Sequence, residues 1–313
     1  MIYNFISSAI DDIVSNAKLC EIINENKSAS MYTIIANLLR EDAIKFALPD
    51  GGRLFESNQP FSVNDADLLH LPYPVIALEY SMSDAHSITI DQEELGCLAP
   101  KRICLAIDNP EVEGISVIPI WYDENEQRWN TSFSCVFIPK KQDHDPKSLR
   151  YPADVQGKRS DLRVEIKPLI GEAWDRCVKD KGQEGAERIG WLDAKDEVNN
   201  LLSFLLALSC KNVSTRNNED VKTIDRVNAK RISKGKKPIF SYKILEISIP
   251  NEISKKNDTD AEKNARRSPR IHLRRGHIRR LVDGKRIWVN ASVVGKKDKG
   301  IVHKDYKLTL TTS

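Results

Sequence analysis

No run of about 18 consecutive apolar residues, the length a membrane-spanning helix needs, occurs anywhere in these 313 residues. The opening stretch MIYNFISSAIDDIVSNAKLC has no basic segment ahead of its apolar residues and carries Asp11 and Asp12 early. A cleaved secretion signal is therefore not expected, and the cytoplasm is the expected compartment. Cysteine is sparse: six residues, at positions 20, 97, 104, 135, 177 and 210, with no Cys-x-x-Cys pair. Several lie in apolar stretches such as KRICLAID and FSCVFIP, where a free thiol behaves as a small core side chain rather than a zinc or redox group. No internal repeat is present, which argues against a solenoid. An apolar content of 40% with 30% charged residues fits a globular chain of one large or two ordinary domains.

Charge is present in quantity and unevenly placed. The formal net charge is only +3, yet Lys222 to Lys307 holds 25 Lys and Arg against 9 Asp and Glu, a net of +16. The rest of the chain holds 23 basic and 36 acidic residues, a net of −13. Such asymmetry favours a polyanionic partner, or docking of the two parts on each other.

Hydrophobic periodicity predicts an α+β fold. NFISSAIDDIVSNAKLCEIINE places Ile6, Ile10, Ile13, Ala17 and Cys20 on one helical face, and SASMYTIIANLLREDAIKFALP reads as a second helix ending at Pro49 and Gly51. Strands follow: VIALEYS, RICLAID, and a hairpin of GISVIPIWYD and RWNTSFSCVFIP around ENEQ. Residues 144–161 read as a loop or joint, LRVEIKPLI as a strand, and WLDAKDEVNNLLSFLLALSC as a helix burying Leu201, Leu202, Leu205, Leu206 and Leu208. These pieces make an acidic body over 1–221, with N-terminal helices and a largely antiparallel sheet. The basic region, 222–313, reads as a helix stopped by Gly235 and Pro238, a strand, a mobile loop over 250–269 and a hairpin over 270–295. The two regions are either separate or parts of one compact fold.

The hairpin carries the densest chemistry. From Arg266 to Asn290 lie eight arginines, two histidines and a tryptophan around Asp283-Gly284, a favoured two-residue turn. A tight turn would set Ile278 opposite Val289, Arg279 opposite Trp288 and His277 opposite Asn290. One face would then carry Arg275, His277, Arg279, Arg286, Trp288 and Asn290, and the other Ile278, Val282, Ile287, Val289 and Ala291. A bulge at Gly276 would bring His272 and Arg274 round to the first face.

Three readings stand for that face. Arginine forks suit phosphate oxygens, with Trp288 stacking a base or an arginine. Alternatively His277, with or without His272, is a general acid or base of a metal-independent nuclease or phosphodiesterase, with arginines stabilising the phosphoryl transition state. Or these are ordinary cross-strand pairs on a solvated sheet. VEIK (Val164 to Lys167) is the only fragment resembling a carboxylate–x–lysine nuclease strand, and the spacing of His272, His277 and His303 does not suit zinc. No metal or cofactor is expected. Further along a phosphate backbone, Lys230, Arg231, Lys234, Lys236 and Lys237 of NAKRISKGKKP are candidates, or simply a solvated helix end. Glu79 in LPYPVIALEY needs an internal partner, for which an arginine is expected.

Three segments resemble proteins of tailed phages and prophages: LPYPVIALEY, NAKRISKGKKPIFSYKILEI and HLRRGHIRRLVDGKRIWVNASVVGKKDKGIVHKDY. The most specific pattern is carried by His272, Arg275, Gly276, His277, Arg279, Arg280, Gly284, Trp288, Val289, Val294 and Gly295. The resemblance covers about a quarter of the chain. It implies a phage or mobile-element origin and, since that family has no assigned activity, no catalytic role. By analogy, such accessory proteins act in DNA metabolism or against host defences. The expectation is a non-enzymatic accessory protein binding nucleic acid or another phosphate-bearing ligand. The alternatives are an inhibitor of a host defence protein or its nucleotide signal, and a phosphodiesterase using His277.

Overall fold

A computed structural model describes residues 4–52, 54, 63–82, 88–90, 93–95, 99–142, 162–218, 221–247, 270–274, 277–289, 292–294 and 296–301. The chain opens with two helices, α1 (Phe5–Ile22) and α2 (Asn26–Asn37), packed on each other. Ile6, Ile10, Ile13 and Ala17 are buried, at the helical spacing read from the sequence. Each such isoleucine contributes about 1.5 to 3 kcal/mol by leaving water.

The second predicted helix ends sooner than its periodicity suggests. After α2 the chain makes one π-helical turn over Leu38–Asp42, and Ile44–Ala47 becomes strand β1. Tertiary pairing overrides helical propensity here: β1 lies between two strands parallel to it, β2 (Val75–Ser81) and a late strand described below, with Phe46 fully buried.

Strands β3 (Ile88–Ile90) and β4 (Glu93–Leu95) form a small antiparallel pair. Then β5 (Lys101–Asn109), β6 (Gly114–Asp123), β7 (Arg128–Thr131), β8 (Ser134–Pro139) and β9 (Glu165–Pro168) extend the main sheet antiparallel. The hairpin expected around ENEQ is present as β6 and β7. Helix α3 (Gly171–Leu208) follows, broken at Gly182, whose φ of +76° is outside the helical region. Ala186, Trp191, Ala194, Val198, Leu201, Leu202 and Leu205 of α3 are buried against the sheet. At Gly190 helix and strand approach closely: a Cβ there would lie 2.1 Å from Ser134 Oγ.

Strand β10 (Val213–Asn217), helix α4 (Val221–Ile232) and strand β11 (Lys243–Ile247) bring the chain back to the sheet. Along the main path the order is β10-β11-β1-β2-β5-β6-β8-β9, with β7 paired to β6. Only the β11-β1 and β1-β2 pairs are parallel, so the sheet is largely antiparallel, as expected of this α+β chain. One face packs on α3, the other on α1 and α2, giving two cores and three layers. β11 belongs to the basic region, so that region supplies a strand inside the sheet of the acidic body.

Beyond the sheet lie β12 (Arg270–Arg274), β13 (His277–Arg280), β14 (Arg286–Val289), β15 (Ser292–Val294) and β16 (Lys296–Ile301). They form a three-stranded set, β15-β12-β16, and the β13-β14 hairpin. The expected loops over 144–161 and 250–269 lie outside the described residues. Among the described residues no helix is long and apolar enough to cross a membrane.

Candidate polyanion-binding surface

The hairpin forms with a register one residue away from the expected one. His277 lies opposite Val289, Ile278 opposite Trp288, Arg279 opposite Ile287 and Arg280 opposite Arg286. Leu281 N–H donates to the Lys285 carbonyl at 2.7 Å, leaving Val282, Asp283 and Gly284 as a three-residue loop. Gly284 alone of the three has positive φ, at +77°, and Asp283 Oδ1 accepts from Lys285 N–H at 3.2 Å. This is the longer hairpin loop with a left-handed glycine, not a two-residue turn. A one-residue slip sends side chains to the opposite face. Arg279 therefore shares a face with Ile287, while Arg286 belongs to the other one, and the single arginine-rich face is not formed. Val282, expected to face the core, is fully exposed in the loop.

Arg286 has a different task from the one expected. Its side chain is largely buried, and Nη2 donates to Asp65 Oδ1 at 3.0 Å, with Asp67 Oδ1 at 3.9 Å. Its carbonyl accepts from Lys211 N–H at 3.2 Å, and it bridges to Cys210. Arg286 thus pins the hairpin to the end of α3 and to the short helical segment Val63–Leu68. That commitment leaves its fork little freedom to meet phosphate. Arg279 is exposed, with no acidic partner among the described residues.

His272 lies on β12, opposite Val294, and Arg274 lies opposite Ser292 on the same strand. His277 lies on β13, in the other small sheet. Arg275, Gly276, Asn290 and His303 lie outside the described residues.

The other basic cluster is built at the end of α4. Ile224 is buried, while Arg226 and Lys230 are exposed one turn apart on the outer side. Gly235, at φ +65°, ends the helix: Lys236 N–H donates to the Arg231 carbonyl and Gly235 N–H to that of Ile232. Arg231 is spent on this cap, donating through Nε to the Lys237 carbonyl at 2.6 Å, and Lys237 is ion-paired with Asp11 of α1. Lys230, Lys234 and Lys236 are exposed and have no acidic partner among the described residues. Val213 lies opposite Ile247 at the hairpin end of the β10-β11 pair, and Asn217 opposite Lys243 at the α4 end. Roughly 13 Å of strand therefore separates the two ends of that pair.

Other chemically notable groups are absorbed by structure. Glu79 is fully buried, and among the described residues no arginine pairs with it: Oε2 accepts from Tyr242 O–H at 2.5 Å and from Ile6 N–H at 3.2 Å. The carboxylate caps the start of α1, where helix N–H groups favour a negative charge. Burial raises its pKa against those hydrogen bonds. Glu165 of the VEIK strand is taken up by Arg163 and Lys167 at 2.6 and 2.5 Å; burial alone would raise its pKa, but the two cations hold it below the usual carboxylate range.

One polar cluster escaped the sequence reading. Glu197 of α3 is completely buried and accepts from Arg102 Nε at 2.6 Å, Arg102 Nη2 at 2.9 Å and Tyr80 O–H at 3.0 Å. Asp193, one turn earlier, accepts from Ser132 O–H at 2.8 Å, and burial pushes its pKa up to about 6. The signal was a carboxylate within the apolar stripe Ala194, Val198, Leu201. Cys104, Cys135 and Cys210 are buried free thiols, with burial raising Cys135 and Cys210 to about 11. Among the described residues no group of three or more His, Cys, Asp and Glu is placed to hold a metal ion.

No protein-family model, curated protein or solved structure matches the chain.

Proposed function

We propose that this is a non-enzymatic accessory protein of a phage or mobile element that binds nucleic acid, or another phosphate-bearing polyanion, through the basic end of α4. The observation that carries the reading is the cluster of Arg226, Lys230, Lys234 and Lys236, exposed and without acidic partners among the described residues. Four such cations, close together in the chain on α4 and the turn that follows it, offer positive charge to phosphates. Arg279 of the hairpin adds a second, separate point of positive charge. Arg286 and Arg231 serve as struts for those two elements rather than as ligands. The resemblance of the C-terminal motif to phage proteins supports the origin.

Filter binding of a duplex DNA and of a single-stranded RNA across a salt series tests the reading. Neutralising about four phosphates predicts a slope of log affinity against log salt of roughly −3.6 on duplex DNA. The triple variant Lys230→Glu, Lys234→Glu, Lys236→Glu is expected to bind at least tenfold more weakly with a flatter slope. Absence of binding to DNA, RNA or nucleotide at low salt would sink the proposal.

A further inference from the structure

Resting on the polyanion reading of the α4 end, we infer that its ligand is double-stranded: a nucleic-acid duplex, held by its phosphates without regard to base sequence. Arg226 and Lys230 stand four residues apart on α4, and helical bonding runs on past Ile232. Ser233 N–H donates to the Ala229 carbonyl at 3.1 Å, and Lys234 N–H to that of Arg231 at 3.0 Å. Lys234 therefore follows Lys230 by one more turn. At about 1.5 Å of rise per residue, the three cations form a row with steps of roughly 6 Å along the axis. Ala229 and Ser233 lie between them and are exposed, while Ile224 is buried on the opposite side.

The side chains between the cations bear on the form of the ligand. A site for a single strand joins a basic track to side chains on which unstacked bases rest. Ala229 offers one methyl group, and the Ser233 hydroxyl is already donated to the Lys230 carbonyl at 3.0 Å. A base laid on this face meets no flat surface, whereas side chains this small let the row come close to phosphates. A duplex keeps its bases stacked on each other and carries its phosphates outward. Lysine and arginine contacts to those phosphates position the protein and carry no sequence information.

The bracing of the row points the same way. Asn228 Nδ2 donates to the Ile239 carbonyl at 2.9 Å, and Ile239 N–H donates back to Asn228 Oδ1 at 2.7 Å. Arg231 holds the Lys237 carbonyl, Lys237 pairs with Asp11, and Ser7 O–H donates to the Pro238 carbonyl at 3.3 Å. The backbone that carries the cations is thereby fastened to α1. A fixed row of charge meets a stiff phosphate lattice with little ordering left to lose on either side, while a single strand would have to be ordered along it. Asp225, exposed four residues before Ala229, lies on one flank and repels a strand that wraps round the helix. The contact is one-sided, as a duplex requires.

The probes are a fluorescent DNA duplex of about twenty base pairs and its two separated strands, at equal phosphate concentration and low salt, read by anisotropy. The wild-type chain is expected to bind the duplex at least tenfold more tightly than either strand, and a duplex of shuffled sequence within about twofold of the first. Lys230→Ala removes one phosphate contact and should flatten the slope of log affinity against log salt by about 1 on both duplexes alike. Ala229→Trp adds a stacking surface at an exposed position, so affinity for the strands should rise at least fivefold and the duplex preference should shrink. The inference is overturned if either strand binds as tightly as the duplex or if shuffling changes affinity tenfold; the polyanion reading survives both results. It also falls if Lys230→Ala leaves the duplex slope unchanged, or if folded Ala229→Trp gains nothing on single strands. If neither form binds, this inference and the polyanion reading fall together.

Discussion

Three carboxylates, Glu79, Asp193 and Glu197, lie in or against the sheet, and each is held by a different donor set. Glu197 has a guanidinium and a phenol, Asp193 a serine hydroxyl, and Glu79 a phenol and the first turn of a helix. Burial pushes the Asp193 pKa up to about 6, so the folded state holds its proton more tightly than the unfolded chain does. The sign follows directly: stability from this group is present below the ordinary aspartate pKa and is lost as pH rises toward 6. Allowing for its partial exposure, the loss is about 1 to 2 kcal/mol. Asp193→Asn keeps an acceptor for Ser132 and carries no charge. The variant is expected to be more stable than wild type by that amount at pH 7.5, with the gap closing by pH 4.5. Urea melts at the two pH values measure it, and an equal effect at both would contradict the assignment.

At the scale of elements, the hairpin turns on one side chain. Arg286 and Asp65 are both nearly buried, so Arg286→Met takes a close cation away from a buried carboxylate. Arg286→Met is expected to release the hairpin locally and leave the main sheet folded. The Lys211 amide, which donates to the Arg286 carbonyl, should then exchange with deuterium at least tenfold faster, while amides of β5 and β6 stay protected. Adding Asp65→Asn should recover part of any lost stability, since the buried carboxylate that lost this cation is then neutral. The hairpin was legible as Ile278 and Ile287 flanking an Asp-Gly turn. Its register was not, because Asp-Gly serves two-residue and three-residue loops alike and the two differ by a single residue.

Over the whole molecule, the acidic and basic parts are joined by the sheet as well as by charge. β11 pairs with β1, Tyr242 beside it supplies a donor to Glu79, and Lys237 meets Asp11. A chain truncated after residue 220 loses β11, the parallel neighbour of β1, and leaves Glu79 buried without its phenol. Such a chain is expected to lose cooperative unfolding, with near-ultraviolet circular dichroism and thermal melts as the check; a sharp native-like transition would show that the acidic part folds alone.

Local pattern alone determined the two N-terminal helices, the leucine face of α3, the β6-β7 hairpin and the stop of α4 at Gly235. Each depends on periodicity or turn chemistry within some twenty residues. Tertiary structure decided the rest. Ile44–Ala47 became a strand because two parallel neighbours flank it, and Glu79 found a helix N-terminus 73 residues away instead of an arginine. Arg286 was drawn to Asp65, 221 residues distant, before it could face solvent. Charges and strand edges are satisfied by whatever the fold brings within reach, and that distance is not written in any single stretch of sequence.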